Sequence, residues 1–105
     1  MNNLDDINYL HQLYDIYGNL LTNKQQNYFE LYYFEDLSLA EIASNLSISR
    51  SAVHNNLQAT VNHLHYYELE LKILTKRIQL DDYLIFLNKK KIITREDLSK
   101  IKDFM

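Results

Sequence analysis

The sequence predicts an all-α fold in which a helix-turn-helix is followed by a long fourth helix and a helical C-terminal tail. Three observations carry this. The 105 residues contain no proline and one glycine, so little in the chain interrupts a helix. Apolar residues recur at three- and four-residue spacing, the period of one helix face. Thr22, Ser38 and Thr94 each stand three residues before Gln25, Glu41 and Asp97, the pattern with which a side chain and a backbone N–H close a helix start reciprocally.

From Leu4, the stripe Leu4, Ile7, Leu10, Tyr14, Tyr17 and Leu21 marks a first amphipathic helix, and Gly18 stands where a left-handed C-cap would end its main part. Thr22 then opens a second helix, NKQQNYFELYYFE, whose Phe29, Tyr32 and Tyr33 can pack while Glu30 and Glu35 stay wet. A third begins at Ser38, with Asp36 and Glu41 placed to favour the positive end of its dipole. Ile42, Leu46, Ile48 and Val53 are apolar where two crossed helices share a core, and Ala43 is small at the closest approach. The plainer reading of this stretch is an ordinary helical hairpin. Ser47 fills a turn position that often takes glycine, at a cost in strain if its φ is positive. Ser49 can cap the fourth helix.

That helix is expected from Arg50 to about Thr75. Its stripe of Val53, Leu57, Val61, Leu64, Leu71 and Leu74 is joined after His65 by a second, Tyr66, Leu69 and Ile73. A helix apolar on two sides needs two covers. The chain's own tail is one, through Leu80, Tyr83, Leu84, Phe86 and Leu87 and a last helix REDLSKIKDF capped by Thr94. A second copy is the other, through Tyr66, Leu69, Ile73 and Leu80, and a homodimer is the commonest closed assembly. The organisation expected is one helical domain over residues 1–105, with the helix-turn-helix at about 38–64 and the extension at about 76–105.

Residues 38–64, with Leu39, Glu41, Ile42, Ile48, Arg50 and Val53, resemble the DNA-reading region four of bacterial primary sigma factors. The run LLTNKQQNYFELYYFEDLSLAEIASNLSISRSAVHNNL, residues 20–57, more closely resembles the YlxM-like family of small bacterial helix-turn-helix proteins, and the resemblance fades beyond about Leu74. It implies an all-helical fold and an accessory role beside the signal recognition particle, the machinery that targets nascent membrane and secreted proteins.

If the motif reads DNA, the outward face at the start of the fourth helix does it. Arg50, Ser51, His54, Asn55 and Gln58 lie there by helical spacing, opposite Val53 and Leu57. Arg50 can pair with guanine or phosphate, Asn55 or Gln58 with adenine, and Ser51 with phosphate. Charge argues the other way. Residues 1–71 carry two cations against nine acids, a net −7, whereas residues 72–105 carry nine against five, a net +4. Non-specific DNA affinity comes from cations neutralising phosphates, and the motif offers Arg50 and Lys24. RNA binding through the tyrosines and the basic tail lacks a stacking platform.

Other chemistry is thin. Cysteine is absent, which excludes disulfides and thiolate metal sites. His63 and His65, two residues apart, point to different sides of a helix, and His11 and His54 have no evident ligand partner, so no metal site is expected. The pairs Asp5-Asp6, Asp81-Asp82 and Glu68/Glu70 read as helix-start or solvated residues, and the run Lys89-Lys90-Lys91 as an exposed turn or helix end. No catalytic residue and no cofactor are expected. The N-terminus carries aspartates where a signal peptide is positive, and no apolar run reaches the roughly 18 to 20 residues of a membrane span; a cytoplasmic protein without a membrane partner is expected. The function expected is that of a non-enzymatic accessory or regulatory protein binding a signal recognition particle protein or RNA. The alternative is a DNA-binding transcriptional regulator.

Overall fold

The structure, a computed structural model, describes residues 4–90 and 92–105, with backbone only for Leu4 and Asp5. Met1 to Asn3, the side chains of Leu4 and Asp5, and Lys91 of the lysine run lie outside the described residues. Six helices follow one another: α1 (Leu4–Tyr17), α2 (Asn23–Tyr33), α3 (Leu39–Leu46), α4 (Arg50–Leu71), α5 (Ile73–Lys90) and α6 (Arg95–Phe104), with a short 3-10 turn at Gly18–Leu20. No strand occurs among the described residues. The chain divides into two compact units, Met1–Glu70 and Leu71–Met105.

In the first unit, α1 supplies Leu10, Leu13 and Tyr17 to the core, α2 supplies Tyr28, Phe29 and Tyr33, α3 supplies Ile42, and α4 supplies Val53, Leu57 and Leu64. Each such large apolar side chain contributes about 1.5–3 kcal/mol when fully buried. Phe29 is the hub of the aromatic part: it stacks on Tyr14 at 4.4 Å and nearly parallel, and meets Tyr33 at 4.5 Å. Burial, reinforced by the Glu30 carboxylate, pushes the Tyr14 hydroxyl up to about 12. Leu13 is fully buried although the predicted stripe passed it by, whereas Ile7 and Tyr14 are half-buried. Leu10, Tyr17 and Leu21 of the expected stripe are buried, so the packed face is the expected one shifted toward Leu13.

The expectation for Gly18 is corrected. No glycine has a positive φ; the chain instead tightens into the 3-10 turn, closed by the Leu21 N–H donating to the Gly18 carbonyl at 3.1 Å. The glycine serves packing. A Cβ there would stand 3.3 Å from the Tyr14 ring, and the Gln26 side-chain amide donates to the Gly18 carbonyl at 2.7 Å.

Among the described residues of this unit, two polar side chains are buried. Thr60 is fully buried and returns its hydroxyl to the Asn56 carbonyl at 2.9 Å, one turn back. Glu68, expected to be solvated, is 6% exposed and accepts a 2.6 Å hydrogen bond from the Tyr17 hydroxyl. Tyr17 closes α1 and Glu68 lies near the end of α4, so this bond ties the two helix ends together. A buried carboxylate is tolerated because it is bonded.

The fourth helix stops at Leu71, short of Thr75. Lys72 adopts φ 56°, in the left-handed region, and a new helix starts at once, with the Lys76 N–H donating to the Lys72 carbonyl at 3.0 Å. The apolar spacing runs on across Leu71 and Leu74 without a glycine or proline to mark the joint, which is why periodicity alone read it as one rod.

The second unit is organised around Asp97. Its carboxylate accepts from the Thr94 backbone N–H at 2.9 Å, the Tyr83 hydroxyl at 2.5 Å and the Lys90 ammonium at 2.9 Å, while the Asp97 N–H donates back to the Thr94 hydroxyl at 3.1 Å. One acid therefore caps α6 and fastens it to α5. The Phe104 ring meets Tyr83 edge-on at 5.9 Å, and the Lys100 ammonium lies over Tyr83 at 5.1 Å. Of the expected α5 stripe, Leu87 is buried, Leu80 and Tyr83 are half-buried, and Leu84 and Phe86 are exposed. Lys89 and Lys90 end α5 and are exposed, as expected of a helix end, and Lys90 in addition pairs with Asp97.

Two measurements test this account. Glycine reaches the left-handed region without the Cβ penalty of about 1–2 kcal/mol, so Ser47→Gly, at φ 56°, should raise unfolding stability by about 1 kcal/mol in chemical denaturation. The backbone N–H of Thr94, then the Tyr83 hydroxyl and the Lys90 ammonium, hold the Asp97 carboxyl well below the usual carboxylate range. The stability it confers is then complete above about pH 4 and lost as pH falls from there through the folded value. Amide exchange in α6 should accelerate over that acid window, and in Asp97→Asn it should be fast at neutral pH and lose this acid dependence.

Candidate functional site

The helix-turn-helix is set by three local devices. The Ser38 hydroxyl accepts from the Glu41 N–H at 3.0 Å, and the Glu41 carboxylate accepts from the Ser38 N–H at 3.0 Å, which fixes the start of α3. The backbone N–H of Ser38 holds the Glu41 carboxyl below its ordinary range, so it remains a charge on the head. At the other end Ser47 adopts φ 56°, ψ 43°, the Ile48 N–H donates to the Ala43 carbonyl at 3.0 Å, and the Ser47 N–H donates to the Ser44 carbonyl at 3.4 Å. This is a Schellman end, the left-handed residue here being serine instead of the usual glycine. Two residues later the Ser49 hydroxyl accepts from the Ala52 N–H at 3.0 Å and caps α4.

The turn therefore launches α4 with Val53 and Leu57 inward and its opposite face bare. Arg50, Ser51, His54 and Asn55 are exposed and, with Leu39 of α3, line one shallow hollow. Among the described residues, none of these four side chains takes a hydrogen bond or an ion pair. Gln58, also exposed, lies outside the hollow and donates its amide to Asn62 at 3.3 Å. Four of the five residues picked from sequence spacing thus converge on one spot, and the fifth turns along the helix.

The remaining candidates are dispersed. Tyr66 and Leu69 are exposed on α4, whereas Ile73 and Leu80 on α5 are half-buried. The histidines go to separate surroundings: His63 shares a hydrogen bond of 2.9 Å with the Gln25 amide, His65 stacks on Tyr9 at 5.9 Å, His11 lies 4.7 Å from the Phe34 ring, and His54 lines the hollow. No group of three or more His, Cys, Asp or Glu is placed to hold a metal ion among the described residues. No helix among them is long and apolar enough to cross a membrane. Leu39 is the hollow residue that spacing along α4 did not identify, because its contribution depends on how α3 crosses α4.

The family described as "Putative helix-turn-helix protein, YlxM / p13 like" matches residues 4–104. The chain belongs to that family. It is similar to a protein named UPF0122 protein from Lactococcus lactis subsp. cremoris (strain MG1363), at 38% identity over 100 residues, 95% of this chain and 90% of the relative. A relative from Oceanobacillus iheyensis is 39% identical over 103 residues, 95% of this chain and 97% of its own. One from Staphylococcus aureus (strain JH9) reaches 47% over 64 residues, 61% of this chain and 58% of its own. The match runs nearly the whole length, well past Leu74 where the resemblance read from sequence faded.

An exposed cation without a partner contributes little to folding. Arg50→Ala should therefore leave unfolding stability within about 0.5 kcal/mol of the parent, measured by urea denaturation, so that any binding defect of this variant reports on the surface and not on the fold.

Proposed function

We propose that this protein is a non-enzymatic accessory or regulatory factor that works by docking its helix-turn-helix head onto a protein or ribonucleoprotein surface. The observation that supports this best is the charge of the head. Residues 1–71 carry a net −7, and the hollow at the start of α4 presents a single cation, Arg50. Duplex DNA is held chiefly by cations set against its phosphates, whereas an acidic head suits a basic protein surface. The resemblance to YlxM-like proteins suggests the signal recognition particle as that partner, with its targeting GTPase offering the surface to test first.

A second reading, DNA-binding transcriptional regulation, has its own support in the four exposed polar side chains at the start of α4. In that reading Arg50 and Asn55 contact base edges and Ser51 and His54 contact the backbone.

Titrating the full-length protein against the particle's GTPase, with and without its RNA, and against genomic duplex fragments separates the two readings. At about 50 mM salt the GTPase should bind and the duplex should not; by about 200 mM the protein complex should weaken through screening. Duplex binding that falls by orders of magnitude between those salts and is lost in Arg50→Ala would instead establish the regulator.

A further inference from the structure

Helix α5 carries apolar side chains on more than one side. One side meets α6: Tyr83 bonds Asp97 and packs on Phe104, and Leu87 is buried. Leu80, three residues before Tyr83 and seven before Leu87, shares that side and is half-buried. Roughly opposite, Ile78, Asp82, Ile85 and Lys89 recur at four-, three- and four-residue spacing and form one stripe. Ile78 and Ile85 remain 46% and 56% exposed, with Phe86 at 52% beside them. Asp82 and Lys89 are exposed and form no ion pair among the described residues.

We propose that this stripe is the contact between two copies of the chain, paired through antiparallel α5 helices. The pattern of the stripe selects a second copy over a different partner. The stripe is complementary to itself: it holds an acid and a base seven residues apart, so an antiparallel pairing sets Asp82 of one copy by Lys89 of the other, twice about the two-fold axis, with Ile85 against Phe86 between them. An isologous interface requires this, residue i meeting j while j meets i. Ile78, Ile85 and Phe86, each about half exposed, supply the apolar centre that such a contact needs, with the charged pair at its ends. The contact involves only the second unit, and it does not depend on what the helix-turn-helix head binds.

Sedimentation equilibrium of the full chain over a concentration series tests the proposal, with far-UV circular dichroism as the check on folding. The parent should be dimeric and Ile85→Glu monomeric with unchanged helicity. Asp82→Lys and Lys89→Asp should each shift the dimer constant toward monomer by at least tenfold, because each sets like charges against each other twice. Mixing the two charge variants should restore dimers as heterodimers, in which both pairs are again of opposite sign, and the double variant should dimerise alone. A parent monomeric at every soluble concentration overturns the proposal. So does a dimer that none of the three single variants weakens, or charge variants that weaken dimerisation but do not recover on mixing.

Discussion

Ser47 occupies a backbone conformation that costs a residue with a Cβ roughly 1–2 kcal/mol, and the geometry of the head follows from it. The left-handed turn ends α3 and, two residues on, presents Ser49 to cap α4. The same redirection sends Val53 and Leu57 into the core beside Ile42 and leaves Arg50, Ser51, His54 and Asn55 outside. Sorting of polar from apolar residues along α4 is then a consequence of one dihedral pair. The strain is repaid by the apolar surface that the crossing buries, which amounts to several kcal/mol for these side chains.

What could be read in advance was what is local. The boxes at Thr22, Ser38 and Thr94 formed as written, because a cap needs only a side chain and a backbone group three residues apart. The exposed face at the start of α4 was legible for the same reason: helical spacing from Val53 and Leu57 suffices to place Arg50, Ser51, His54 and Asn55 opposite them. What escaped was tertiary. Glu68 reads as a surface acid until α1 brings the Tyr17 hydroxyl to it. Leu39 joins the hollow only through the crossing of α3 and α4. Asp97 was visible as a cap, but its bonds to Tyr83 and Lys90 require α6 to fold back on α5. The end of α4 was missed for another reason, since lysine in a left-handed conformation leaves no compositional trace.

Electrostatics and geometry pull the head in different directions. Its shape belongs to a family described by a helix-turn-helix, and its exposed polar groups have hydrogen-bonding chemistry suited to base edges or to a protein surface. Its charge is that of a surface repelled by phosphates. In the docking proposed above, charge acts at longer range and before contact and selects which partners approach, while the polar groups discriminate among those that arrive.

The Asp97 corner carries a consequence for variation among relatives. One carboxylate accepts from the Thr94 backbone N–H, a tyrosine and a lysine. Exchange of the acid removes the acceptor that all three donors share, and exchange of a donor removes one of the bonds that hold a buried carboxylate. Drift at positions 83, 90, 94 and 97 is therefore expected to be concerted, so that these four sites behave in descent as a single character.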